Sequence, residues 1–242
     1  MWKKASADLS KYFIIFFIFF SFNRVESQSL NYNLDWGSEN FITDAKIIFS
    51  NLTLQSSQQL LSGRGYEGNI MLSGGTSISL TENLPIMPLF SSFYHVSDNL
   101  WLGGVLSGYV AGENVIMLSG YMIDLLPGDI SKKKVPWCLE LSRRSLEGAE
   151  DFRLKTIGAT LTNRIDLNHI LLHYGLTTTF YDVILYNKFN VADESWPNRI
   201  KDQVNAITGT AEFSYGKFIS GLKLNLSNKG SSLMFSISAL LK

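Results

Sequence analysis

Residues 206–241 alternate apolar and polar side chains through three successive runs joined by two tight turns, and this alternation constrains the fold more than any other feature of the chain. In the first run Ile207, Gly209, Ala211, Phe213 and Tyr215 share one face, while Ala206, Thr208, Thr210, Glu212 and Ser214 share the other. In the second, Phe218, Leu222, Leu224 and Leu226 oppose Ile219, Gly221, Lys223 and Asn225; in the third, Leu233, Phe235, Ile237, Ala239 and Leu241 oppose Met234, Ser236, Ser238 and Leu240. A strand reverses its side chains at every residue, so a period of two defines ribbons with one greasy and one mostly wet face and excludes a helix. Three such ribbons in sequence form a β-meander.

The same rhythm runs upstream. Residues 67–80 place Ile70, Leu72, Ile78 and Leu80 against Asn69, Ser73, Ser77 and Ser79, and residues 90–96 place Phe90, Tyr94 and Val96 against Ser91, Phe93 and His95. Residues 100–111 and 113–124 are long glycine-containing runs around a hairpin turn at Gly112, apolar on both faces, so their facing stays open. Trp137, Leu139 and Leu141 oppose Cys138, Glu140, Ser142 and Arg144. Residues 152–162 begin with Phe152 and Leu154 on one face and end with Ile157, Ala159 and Leu161 on the other, a parity slip that predicts a bulge. Ile170, Leu172, Tyr174, Leu176 and Phe180 oppose His169, His173, Thr177 and Thr179, and a further strand is expected over 183–191 after a reversal at Asp182. Residues 46–54 form a weaker strand candidate, and two prolines over 84–89 argue against a central strand there. The candidates number about 12, in a range of 10 to 12.

Lys3, Lys4 and Lys11 precede an unbroken apolar run over 12–20, too short to span a membrane as a helix, and Val25-Glu26-Ser27 supplies a small-residue cleavage site. Residues 1–27 are therefore expected to be a signal peptide, 28–44 an N-terminal extension and 45–242 a single β-barrel domain. Removing the first segment takes Lys3, Lys4, Lys11 and Arg24 away against Asp8 and Glu26, so a chain of formal charge +0 becomes one of about −2, a balance that does not suggest nucleic acid. Charged residues make up 17% of the chain, below the roughly 25% of a soluble domain, with Gly, Ser, Thr and Asn in their place. The single Cys138 can form no internal disulfide. Beyond residue 22 no apolar stretch is long enough for a helical span, so entry into a membrane would have to be by strands.

Strands of about 9 to 13 residues suit a tilted bilayer crossing, and a closed sheet leaves no edge whose backbone lipid would fail to satisfy. The polar connections over 55–66, 126–135 and 192–202 are expected on one side and the tight reversals at Gly112, Asp182 and Gly216 on the other, with Phe180, Tyr181, Phe213, Tyr215 and Phe218 in an interfacial girdle. Over nearly all of residues 28–242 the pattern resembles bacterial outer-membrane β-barrel proteins of the porin-like class. It departs from them in ending on Leu240-Leu241-Lys242 instead of an aromatic residue. The resemblance implies an all-β, antiparallel, up-and-down transmembrane barrel in the outer membrane of a Gram-negative bacterium, with outer-membrane lipid and the barrel-assembly machinery as partners. A soluble secreted β-sandwich or lipocalin-like barrel would alternate too, with the apolar face turned inward.

With the apolar face outward, Glu140, Arg144, Arg153, Lys155, His169, His173, Lys188, Glu212 and Lys223 are expected to line the lumen, a net basic set that would favour anions. Such charges must pair or meet water, so they fit either a narrow pore for small solutes or a salt-bridged plug in a structural or binding barrel. His169 and His173, four residues apart on a strand, stand roughly 13 Å apart and cannot share a metal unaided. The second residues after them, Leu171 and Gly175, offer no hydroxyl nucleophile. Neither catalysis nor a cofactor is expected.

Overall fold

The computed structural model describes residues 41–58, 69–111, 114–126, 137–167, 170–186 and 198–241. Ten strands, β1 (Ile70–Ser79), β2 (Met87–Ser97), β3 (Leu100–Ala111), β4 (Asn114–Leu125), β5 (Trp137–Glu147), β6 (Phe152–Leu167), β7 (Ile170–Leu185), β8 (Arg199–Tyr215), β9 (Phe218–Ser227) and β10 (Gly230–Leu241), follow one helix, α1 (Phe41–Ser56). Each strand pairs antiparallel with its sequence neighbours, and β1 closes on β10, so the sheet is an up-and-down barrel with no free edge. Ten strands is the lower end of the range expected from sequence.

Two of the twelve candidates dissolve. Residues 46–54 lie in α1, and Val183 with Leu185 continues β7, which runs unbroken through Asp182; residues 187–191 lie outside the described residues. The helix was hidden because residues 49–58 are buried on every side, so the second half of α1 shows no polar face to solvent and no simple amphipathic period. The barrel strands accordingly begin at Ile70 rather than near residue 45.

The outward faces are apolar as the alternation predicts. Ile207, Phe218, Leu222 and Phe235 are exposed, while Thr208, Ile219, Lys223 and Ser236 between them are buried. The two runs with open facing also resolve: Leu102, Leu106, Met117 and Tyr121 point out, and Trp101, Val105, Leu118 and Met122 point in. On β7 the outward apolar positions run from Ile170 to Phe180, a band of about 25 Å at the usual strand tilt, enough to match a hydrocarbon core. No described helix is long and apolar enough to cross a membrane.

The expected bulge in β6 is absent. Its register to β7 is continuous from Phe152↔Leu185 to Leu167↔Ile170, and Phe152 and Leu154 simply face inward although they are apolar, because α1 covers them. The register shift falls instead between β2 and β3, at His95/Ser97. Strand β2 starts at Met87 and includes Pro88, which pairs with Thr76 of β1, whereas pairing to β3 begins only at Phe90. A residue without an N–H is tolerated where one neighbour is missing, and the Ser107 hydroxyl donates to the Pro88 carbonyl across that gap.

The connections do not sort by length. Call the end of the barrel bearing Leu241 the C-terminal end; Ser97 with Leu100, Leu125 with Trp137, and Tyr215 with Phe218 also lie there. The opposite end carries residues 80–86, 148–151 and 228–229 and the strand ends Leu185 and Arg199. The β4–β5 and β7–β8 connections therefore leave the barrel from opposite ends, contrary to the expected one-sided arrangement; residues 112–113, 127–136 and 187–197 lie outside the described residues. Gln55 and Ser56 belong to α1. Gly216 has φ +64, a left-handed position that favours glycine in the β8–β9 turn. The aromatic girdle is likewise split: Phe180 edges the band at the far end, Phe213, Tyr215 and Phe218 lie at the C-terminal end, and Tyr181 faces inward.

Candidate functional site

Helix α1 occupies the lumen at the end opposite the C-terminus, which we call the plug end. Phe49, Leu52 and Leu54 are completely or almost completely buried and join a single core with Met71, Met87, Phe152, Leu154, Val183, Ile200 and Val204 of the wall. Phe49 meets Phe152 edge-on, with ring centroids 5.0 Å apart at 71°. This contact explains why six inward positions of the wall that would carry small polar residues in an open lumen are apolar: Phe152, Leu154, Val183, Leu185, Ile200 and Val204 line the seat of the helix.

Several polar groups of the helix are matched to the wall. The Asn51 amide donates to the carbonyls of Ile47 (3.0 Å) and Lys229 (3.1 Å), and its Oδ1 accepts from the hydroxyls of Ser79 (3.2 Å) and Thr81 (2.5 Å). Gly230 lets the strand approach this amide: a Cβ there would lie 2.1 Å from Asn51 Oδ1. Gln55 Nε2 donates to the Ser77 carbonyl at 2.8 Å and the Pro85 carbonyl at 2.6 Å. Ser50 shares a hydrogen bond with the Tyr181 hydroxyl at 3.3 Å, and Gln58 donates to Ser232. At the C-terminus of α1 the Arg144 guanidinium donates to the Ser56 carbonyl and, at 3.0 Å, to that of Gln58. A cation that takes the last unsatisfied carbonyls of a helix also meets the negative end of its dipole. Arg144 is thus a cap for the plug.

Toward the C-terminal end the lumen turns polar. His173, Thr210, Glu212, Lys223, Asn225, Ser236 and Ser238 are all buried on the inward faces of β7 to β10. His173 Nε2 stands 3.5 Å from Glu212 Oε2. Hydroxyl pairs bridge strands at Ser73–Ser238 (2.7 Å) and Thr160–Thr177 (3.1 Å). Asp124 and Glu140 face each other in register across β4 and β5, both buried. At the rim itself, His95 stacks on Trp101, with ring centroids 4.6 Å apart at 22°.

The lumen set expected from sequence is therefore brought together only in part. Glu140, Arg144, His173, Glu212 and Lys223 face inward as expected. Arg153 and Lys155 do not: the unbroken register of β6 turns them outward, and Arg153 pairs with Glu147 on the outer surface. His169 and Lys188 lie outside the described residues. Asp124 was missed because β4 is apolar on both faces and gave no parity signal. With Arg153 and Lys155 outside and Asp124 inside, the described lumen loses the net basic character expected of it. Among the described residues no group of three or more His, Cys, Asp or Glu is arranged to hold a metal ion.

A closed antiparallel barrel with an apolar exterior and a polar or plugged interior has the architecture of a transmembrane β-barrel. No protein-family model matches the chain, and no curated protein matches it in sequence. Among solved structures it is similar to the KdgM porin in complex with disordered oligogalacturonate, at 7% identity and a TM-score of 0.39, covering 71% of this chain and 99% of that one. It is also similar to a bacterial polysaccharide outer membrane secretin (8% identity, TM-score 0.36, 73% of this chain and 77% of that one). A third neighbour is the N-terminal β-barrel domain of Pseudomonas aeruginosa OprF (9% identity, TM-score 0.33, 71% and 96%). These likenesses extend to barrel architecture alone.

Proposed function

We propose that the protein is a bacterial outer-membrane barrel closed by its own helix, non-conducting with α1 docked, and acting as a structural or binding barrel. The observation that carries this reading is the seat of α1: apolar packing on Phe152, Leu154 and Val183, the Asn51 and Gln55 clamps on β1 and β10, and the Arg144 cap. A porin needs a continuous wet path, and here one half of the lumen is core. The barrel rests in outer-membrane lipid, is inserted by the barrel-assembly machinery and performs no catalysis. The test is a planar-bilayer recording of the full chain, with folding verified by gel mobility. Steady conductance near zero is expected; a steady open current would overturn the closed reading.

A second reading, a narrow channel for small solutes opened by release of α1, is favoured by the polar half-lumen of His173, Thr210, Glu212, Lys223 and Asn225. Burial of so many polar groups is costly in a purely structural core. Its mark would be brief openings that become frequent when the seat of the helix is weakened.

A further inference from the structure

Outside the lumen, the strand registers place the charges of β5 to β8 in rows. Moving from the middle of the band toward the plug end, the outward row Leu161–Leu176–Ile207 is wholly apolar. Two rows further, Ile157 and Phe180 still face out, 59% and 55% exposed, but Arg143 of β5 stands beside Ile157. The next row is Ser145–Lys155–Asp182–Lys201, and beyond it Arg153, Ile184 and Arg199 follow. Five cations and the two carboxylates Glu147 and Asp182 thus begin where the apolar band stops.

Both carboxylates are already engaged. Arg153 pairs with Glu147, Arg199 chelates Asp182 through two nitrogens, and Lys201 lies 4.0 Å from the same carboxylate. Lys155 also acts on both carboxylates, and Glu150 and Asp151 follow in the β5–β6 turn, so the described cations of the sector outnumber its carboxylates five to four; Arg143 and Lys155 are the two nearest the apolar band, at the height where a bilayer presents its headgroups. The rest of the rim differs. On the β1 to β4 side the described exposed side chains near the plug end, Leu80, Thr81, Asn83, Ile86, Val115 and Met117, include no cation.

Resting on the membrane reading above, we propose that the outer face of β5 to β8 at the plug end is a docking site for the phosphate of an anionic lipid. The ion pairs hold Arg153 and Arg199 in fixed positions, while Arg143 and Lys155, the cations nearest the apolar band, meet the headgroup and select an anionic over a zwitterionic one. A lipid seated there lays its acyl chains on Ile157 and Phe180 directly below the charged row. Charge complementarity and height both favour this occupant over a soluble anion, which would gain nothing from the apolar shelf.

The test uses the full chain reconstituted into vesicles of phosphatidylcholine mixed with phosphatidylglycerol, followed by detergent extraction and quantification of the lipids that stay bound. Wild type should retain phosphatidylglycerol well above its share of the bilayer. The double variant Arg143→Gln/Lys155→Gln should lose that preference by roughly thirty-fold, since each juxtamembrane cation contributes about one tenfold step or slightly less, whereas Lys217→Gln in the turn at the other end should leave it unchanged. A double variant that keeps the preference, or a Lys217→Gln variant that loses it equally, would overturn the site. Protein that never enters the vesicles, seen as barrel left in the supernatant, would instead overturn the membrane reading and this site with it.

Discussion

Truncating Phe49 to alanine should release the plug while leaving the barrel standing. The side chain is completely buried and its ring packs edge-on against Phe152 at 5.0 Å. Phe→Ala in a well-packed core costs about 3 to 5 kcal/mol, of which roughly 0.5 to 1.5 belongs to the aromatic pair itself. None of this cost falls on the strand ladders, because α1 contributes no pairing to the sheet. It falls on the docking equilibrium of the helix, and at 1.4 kcal/mol per decade the undocked population should rise by about 10² to 10³. A 16-residue helix is marginal by itself in water, so undocking should melt it. Amide hydrogen exchange would show protection over residues 45–56 falling by that factor, with the β6–β7–β8 amides unchanged. Phe152→Ala should reproduce the effect from the wall side, and the double variant should cost less than the sum of the two by about the pair energy. Helix amides that exchange as slowly in Phe49→Ala as in the wild type would refute the plug. So would loss of the strands together with the helix in one transition, since the barrel would then depend on α1 for its own stability.

Five other outcomes follow from the same geometry. Ile207→Arg, at a 64% exposed position between Leu176 and Leu226, should cost about 2 to 4 kcal/mol in refolding titrations from urea into vesicles, while a value near zero would mean that this face meets water. Gly175→Ala should prevent refolding or slow it severely, because the new Cβ would lie 1.9 Å from the Leu161 carbonyl oxygen. Gly209→Ala, which meets nothing within 4 Å, should be neutral to about 0.5 kcal/mol. Asn51→Ala should weaken α1 docking by about 1 to 3 kcal/mol through the partners it leaves unsatisfied, read by the same exchange experiment. Finally, an unheated sample should migrate differently from a boiled one on a gel, as a closed barrel that resists detergent does; identical mobility would argue against the membrane barrel.

The strand periodicity by itself determined that the chain is built of antiparallel strands and predicted which way most of them face, while closure into a barrel is seen only in the pairing of β1 with β10. Alternation survives as a local signal where a strand has two environments, an apolar outer surface and a polar lumen, and the polar half of β7 to β10 meets both conditions. His173, Glu212 and Lys223 were legible for that reason, and Glu140 and Arg144 through the alternation of β5. What the sequence could not specify was the third environment, the apolar half of the lumen under α1. There an inward residue is as greasy as an outward one, so parity fails: Phe152 and Leu154 mimic a bulge, and Arg153 with Lys155 is turned to the wrong side. Strands β3 and β4 lose their facing because Trp101, Val105, Leu118 and Met122 join the same apolar core from inside. The helix was equally illegible, since a segment enclosed all round by the wall needs no polar stripe, and Ser50, Asn51 and Gln55 find strand carbonyls and hydroxyls in place of water. Only the closed tertiary structure decides that Arg144 caps a helix instead of lining a pore, because its partners, the carbonyls of Ser56 and Gln58, lie more than eighty residues away in sequence and meet it only across the lumen.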